Sequence, residues 1–160
     1  MIIERAVLRN ERGQETNMFR SGKPIRIEIY YNALKKIDRP NFWISVTGRS
    51  ADLFGASMLY DEACPEYIEG KGCIACTFKD IRLIPMSYSI SMGIRGKDAV
   101  SNHIPATEIS YFTIEATTKE LGFSDNAANF YNAFWPLLIP YEWQLPDGKV
   151  VKVNDRKENS

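Results

Sequence analysis

Residues Met86–Ile94, with the sequence MSYSISMGI, decide the fold of this chain. Their side chains alternate between two sets. The apolar set is Tyr88, Ile90, Met92 and Ile94, and the hydroxyl set is Ser87, Ser89 and Ser91. A period of two is typical of a strand with one face on a hydrophobic core. The other face carries small hydroxyls where a solvated strand usually carries long charged side chains, which leaves room for a flat ligand.

Two further segments repeat this alternation, Asn41–Arg49 (NFWISVTGR) and Ile109–Thr117 (ISYFTIEAT). If the three strands are neighbours, their outer face combines aromatic rings, hydroxyls and charged groups. Aromatic faces suit the C–H side of a sugar ring, and the polar groups suit its hydroxyls. The pattern therefore predicts a carbohydrate-binding face composed of Trp43, Ser45, Thr47, Arg49, Ser87, Ser89, Ser91, Arg95, Tyr111, Thr113 and Glu115.

Structural roles for these residues stay open at this point. Trp43 could be the tryptophan that immunoglobulin sandwiches bury, although an inward Trp43 would turn the apolar set of its strand to solvent. Tyr111 could be an ordinary exposed strand tyrosine, and the serines could be plain solvated positions. Arg49, Arg95 and Glu115 could form surface ion pairs that contribute little.

The segments with strand character are separated by turn signals, and no amphipathic helix is convincing. The predicted strands are Ile2–Arg9, Pro24–Asn32, Phe42–Arg49, Cys73–Lys79, Ser87–Arg95 and Ser110–Thr117. This organisation predicts an all-β fold, an immunoglobulin-like antiparallel β-sandwich. We expect one sandwich domain over residues 1–146 and a partly disordered C-terminal tail over residues 147–160.

The composition argues against several functional classes. Lys plus Arg and Asp plus Glu number 20 each among 160 residues, so no basic field attracts nucleic acid. No apolar run approaches the roughly 20 residues of a membrane helix, and the charged start does not resemble a signal peptide. Three cysteines argue against a disulfide framework. A soluble, cytosolic protein is expected.

The sequence contains no convincing set of catalytic or metal-binding residues. Cys73 and Cys76 lie three apart, so on a strand they face opposite sides, and no second pair completes a zinc site. We expect them to be buried thiols. His103 is the single histidine, and the carboxylates of Asp61 and Glu62 fall in a predicted loop. The prediction is a non-enzymatic protein with no cofactor and no metal.

The segment Phe134–Trp143 is too apolar to lie in solvent, but Pro136 and Pro140 exclude it from a central strand. Exchange of this segment between two protomers would bury it and cover an open sheet edge. Packing on its own sandwich uses the same contacts and stays open. The residues assigned to the dimer contact are Phe134, Trp135, Leu137, Ile139, Tyr141 and Trp143.

Read in order, these features resemble the carbohydrate-binding C-terminal domain of Wzt-type ABC transporters, which export O-antigen polysaccharides. The likeness extends over Ile2–Trp143 and is carried by Phe19–Pro24 (FRSGKP), Leu53–Ser57 (LFGAS), Phe78–Leu83, Tyr88–Ile94, Phe112–Ile114 and Trp143. The chain departs from the family at Met86 and Ser87, where a glycine usually precedes the tyrosine. The pair Gly22-Lys23 is not a phosphate loop, because Asn17 and Pro24 replace the residues such a loop needs.

The resemblance implies an immunoglobulin-like sandwich that binds the non-reducing end of an undecaprenyl-linked O-antigen polysaccharide. It also implies a homodimer that works with the nucleotide-binding and membrane subunits of the ABC transporter. The expected location is the cytoplasm, at the inner face of the bacterial inner membrane. A different class of function stays open, an immunoglobulin-like protein-interaction module that uses an exposed strand edge.

Overall fold

The computed structural model describes residues 1–98, 100–121, 136–139 and 141–153. Within these residues, the secondary structure is strand. The ten strands are β1 (Ile2–Arg9), β2 (Met18–Arg20), β3 (Ile25–Asp38), β4 (Asn41–Gly48), β5 (Ala51–Ser57), β6 (Tyr67–Phe78), β7 (Ser87–Arg95), β8 (Asn102–Glu115), β9 (Tyr141–Gln144) and β10 (Val150–Val153). No described element is a helix of the length and hydrophobicity that a bilayer crossing requires.

The strands form two sheets and a separate hairpin. The first sheet has the order β1-β3-β6, the second has the order β2-β8-β7-β4-β5, and β9 pairs with β10. All pairs are antiparallel except the short parallel contact between β2 and β8. The predicted all-β sandwich is confirmed. Strands β4, β7 and β8 are neighbours, which is the condition on which the shared outer face depends.

The core lies between the two sheets and is filled by the apolar sets read from the sequence. In β7, Tyr88 is 1% exposed and Ile90, Met92 and Ile94 are 0% exposed. The isoleucines of β3 in the other sheet belong to the same core cluster, and so do the apolar side chains of β4, which lie beside those of β7 in the same sheet. Aromatic packing links β7 to β8, because Tyr88 stacks on Phe112 with ring centroids 5.3 Å apart. The Tyr88 hydroxyl donates to the Ile84 carbonyl at 2.8 Å, which satisfies a buried polar group.

Strand β5 has no counterpart among the predicted strands. It forms a hairpin with β4, in which Gly48 faces Ala51 across a two-residue turn. The turn residues Arg49 and Ser50 have φ values of 51° and 69°, the left-handed conformation that a type I′ turn needs at both positions. The sequence gives no Asn-Gly signal at this turn, so the hairpin was missed and β4 ends at Gly48, one residue earlier than predicted.

The outer face of the first sheet carries a buried carboxylate. Glu28 is only 8% exposed. It accepts hydrogen bonds from Arg9 Nε at 2.9 Å, Arg26 Nε at 3.0 Å and the Tyr30 hydroxyl at 3.0 Å. These bonds outweigh burial and lower the pKa of Glu28 from 4.5 to about 2, with the Arg26 bond as the largest cause. Three donors thus hold this carboxylate ionised.

Candidate glycan-binding face

The outward side chains of β4, β7 and β8 form one continuous surface, which we call the hydroxyl face. Its members among the predicted site residues are Trp43, Ser45, Thr47, Ser87, Ser89, Ser91, Arg95, Tyr111, Thr113 and Glu115. The register brings them into rows, with Thr47 opposite Ser89 and Ser89 opposite Tyr111. One row further along, Ser45 faces Ser91. The centre of the face is therefore a shallow floor of small hydroxyl side chains.

Trp43 lies at one end of the hydroxyl face and points outward. Its strand partner on β7 is Gly93, and a Cβ added to Gly93 would lie only 2.5 Å from Trp43 Cζ2. The indole therefore lies flat over the glycine, with part of its surface open to solvent. This position excludes the alternative of a buried immunoglobulin-type tryptophan, because the core side of β4 is filled by Phe42, Ile44 and Val46.

Tyr111 is the second aromatic residue of the face and is 58% exposed. Its hydroxyl donates to the Glu108 carboxylate, and this bond raises the pKa of Tyr111. Glu108 faces Ser91 across the sheet and was missed by the sequence analysis. A register shift between Ser110 and Glu108 changes the phase of the alternation, so a strict period of two assigns Glu108 to the wrong side.

The other end of the face, near β2, is polar and internally hydrogen-bonded. Ser87 and Thr113 are strand partners whose hydroxyl oxygens lie 3.0 Å apart. Glu115 faces Arg20 in the parallel pairing with β2, and Arg20 forms an ion pair with Glu120. Glu115 is therefore beside a cation that already has a carboxylate partner.

Arg49 does not share the strand geometry of the other predicted site residues. It lies in the turn after β4 with a positive φ, so the alternation of β4 does not set its direction. Its charge acts on the Tyr88 phenol, where it opposes the rise in pKa that burial causes. Its predicted place on the strand is wrong, because the chain turns back into β5 directly after Gly48.

A cleft opens at the Trp43 end of the hydroxyl face, between β4, the end of β7 and the turn that follows β5. Its volume is about 470 Å³, and we call it the end cleft. Arg95, predicted as a site residue, lines this cleft together with Asn41 and Asp61. Sequence reasoning missed Asn41 as a site residue, because an amide at the start of a strand carries no recognisable signal.

The predicted dimer residues fall into two groups. Phe134 and Trp135 lie outside the described residues. Leu137 bridges Leu83, and the intervening Leu138, which is 5% exposed, packs with Ile84 and Leu121. Ile139 and Trp143 are 70% and 61% exposed. Tyr141 and Trp143 belong to β9, which pairs with β10 and with neither sheet.

The cysteines behave differently from each other. Cys73 faces Tyr30 on the outer side of the first sheet and Cys76 faces Ile27 on its core side, as the spacing predicts. Cys76 is half-buried, which raises the pKa of its thiol. Cys73 is exposed, so its predicted burial is wrong, because β6 is an edge strand whose outer residues face solvent. Among the described residues, no group of three or more His, Cys, Asp or Glu side chains could hold a metal.

Two packed sheets of mainly antiparallel strands, with an open face of hydroxyl and aromatic side chains on the larger one, define an immunoglobulin-like β-sandwich domain. The model of the Wzt C-terminal domain matches residues 1–125, and the chain belongs to this family. It is accordingly a domain of Wzt-type ABC transporters.

A solved structure supports the fold assignment independently. The chain is similar to the crystal structure of the C-terminal domain of wzt, with a TM-score of 0.57 and 12% sequence identity. The similarity covers 72% of this chain and 74% of that chain. At this identity the likeness shows a shared fold only. No curated protein matches the chain in sequence.

Proposed function

We propose that this domain binds a polysaccharide on the hydroxyl face, without catalysis, as the substrate-recognition domain of a polysaccharide-exporting ABC transporter. The observation that carries the proposal is the hydroxyl floor between Trp43 and Tyr111. Trp43 lies four residues from Thr47 on β4, and Thr47 lies two strands from Tyr111. At strand spacings, the Cα atoms of Trp43 and Tyr111 are separated by about 14 Å along the strands and about 10 Å across them. A short oligosaccharide fits between them.

The chemistry of this floor favours a sugar over a protein partner. Protein-interaction surfaces that pair through strand edges use backbone groups and apolar pockets. The hydroxyl face instead offers serine and threonine hydroxyls, which both donate and accept hydrogen bonds, as sugar hydroxyls do. Within the family, the substrate would be the non-reducing end of an undecaprenyl-linked O-antigen polysaccharide, presented at the cytoplasmic face of the inner membrane.

The test is glycan binding by variants of the two aromatic residues. Trp43→Ala and Tyr111→Ala should each weaken binding by about 1–2 kcal/mol, the contribution of an aromatic contact. Their melting temperatures should change little, since surface substitutions away from the core have small effects on stability. Tyr67→Ala is the matched control, because Tyr67 is a 50% exposed aromatic residue on β6 of the other sheet. Unchanged affinity in both face variants would contradict the proposal.

We further propose that the domain acts as a homodimer through its C-terminal hairpin. The β9–β10 hairpin pairs with neither sheet, and an isolated two-stranded hairpin is marginal in water. Val151 faces Trp143 across it, and both side chains are exposed. A second copy would cover this apolar pair and would give the transporter two recognition domains.

A further inference from the structure

The end cleft contains polar side chains that have no role in the proposed binding on the hydroxyl face. Building on that proposal, we infer that the end cleft holds one uncharged sugar unit of the polysaccharide through its neighbouring hydroxyl groups. The wall residues that carry this inference are Asn41, Asp61 and Arg95, and the ring that supports it is Trp43.

Asn41 places an unused donor in the cleft. It is 4% exposed, and its Oδ1 accepts from the Leu59 backbone N–H at 3.0 Å and from the Ser57 hydroxyl at 3.3 Å. The backbone N–H can only donate, so the orientation of the amide is fixed. The Nδ2 group has no hydrogen-bond partner among the described residues. A buried donor left without a partner is costly, and an acceptor on a bound ligand would remove that cost.

Asp61 and Arg95 add an acceptor and a donor on the same cleft. Arg95 faces Asn41 across the strand pair, whereas Asp61 lies in the turn after β5. Neither side chain forms an ion pair or hydrogen bond with the other or with any other described residue. A carboxylate only accepts hydrogen bonds and a guanidinium only donates them. A pair of sugar hydroxyls does both, so it can satisfy the two groups together.

The balance of charge favours an uncharged ligand. The charges of Asp61 and Arg95, which both line the cleft, cancel. A carboxylate or phosphate on the ligand would approach Arg95 but would also lie near the Asp61 carboxylate, at a repulsive cost in a small cleft. The Trp43 indole borders the cleft and supplies an apolar surface for the C–H side of the sugar ring.

The experiment is a glycan array of matched oligosaccharides that end in a neutral hexose, a uronic acid or a phosphorylated sugar. Binding to the array is measured for the native chain and for the variants Asp61→Asn, Arg95→Gln and Trp43→Ala. The matched controls are Glu62→Gln in the same turn and Lys97→Gln just after β7, since neither residue lines the end cleft. The inference predicts preferential binding of the neutral termini. Asp61→Asn and Arg95→Gln should each weaken it about tenfold or more, because each removes charge-assisted hydrogen bonds, and the controls should bind normally.

Three results would overturn the inference. Preferential binding of uronic acid or phosphorylated termini would contradict an uncharged ligand. Normal binding by Asp61→Asn and Arg95→Gln, together with a loss of glycan binding in Trp43→Ala, would show that the glycan binds on the hydroxyl face without using the end cleft. Failure of the native chain to bind any glycan on the array would count against the proposed function itself and against this inference with it.

Discussion

Adding a single methyl group at Gly93 should test the hydroxyl face without removing any of its functional groups. In Gly93→Ala the new Cβ would lie 2.5 Å from Trp43 Cζ2 and 2.6 Å from both Cε2 and Nε1. Ordinary van der Waals contact begins at 3.4 Å, so the indole must retreat by about 1 Å. Trp43 is partly exposed and its ring can lift away from the sheet, so the strain is relieved by a change in the position of the ring.

The expected consequence is a loss of binding with little loss of stability. Alanine limits the unfolded chain more than glycine does, which favours folding by about 0.4–1 kcal/mol, and a displaced rotamer costs about 0.5–1.5 kcal/mol. The net change in the free energy of unfolding should therefore stay within about 1 kcal/mol of zero. A displaced indole forfeits its stacking on the sugar, about 1–2 kcal/mol, so affinity should fall about 5- to 30-fold.

Titration calorimetry with a glycan that the native chain binds, together with melting curves, measures both quantities. The control is the double variant Gly93→Ala with Trp43→Ala. If the methyl group acts through the ring, the double variant should bind no more weakly than Trp43→Ala alone. Native affinity in Gly93→Ala, or losses that add in the double variant, would refute the assignment of Trp43 as the stacking ring over Gly93.

Three further predictions concern stability and assembly. The low pKa of Glu28 should stabilise the fold above about pH 4.5, and this contribution should disappear as the pH falls toward 2. Glu28→Gln should lower stability on the order of 1–2 kcal/mol at pH 7 and flatten the acid limb in urea titrations, whereas Glu69→Gln on the exposed side of β6 should change neither. Tyr88→Phe should cost about 1 kcal/mol in thermal unfolding, since the Ile84 carbonyl loses its donor, and a cost near zero would contradict a role for this bond. A chain that ends at Pro140 should sediment as a folded monomer and the full chain as a dimer, and a monomeric full chain would refute assembly through the β9–β10 hairpin.

The alternation of apolar and polar residues predicts most of the hydroxyl face correctly and fails at two residues. The outward positions of Trp43, Ser89 and Tyr111 follow from a period of two, and the structure places all three on the same face. Glu108 could not be assigned in this way, because a register shift in β8 is a property of the paired strands and leaves no mark in one strand's sequence. Arg49 was wrongly placed on the strand for a related reason, since a turn with positive φ at two non-glycine residues has no sequence signature.

The convergence of residues in the end cleft depended on tertiary structure. Asn41, Asp61 and Arg95 are separated in sequence and come from a strand, a turn and the end of another strand. Alternation marked Arg95 as a site residue, but no pattern in the sequence places Asn41 or Asp61 beside it. The unused Nδ2 group of Asn41 follows only from the hydrogen bonds that its Oδ1 accepts from Leu59 and Ser57.

The sequence by itself determined the fold class and the two faces of each central strand. A strand's two faces are set by local geometry, and the burial of apolar side chains then chooses which face turns inward. The tertiary structure alone decided which strands are neighbours, where the register shifts and which polar groups converge in the end cleft. These depend on contacts between residues far apart in the chain, and no local pattern specifies them.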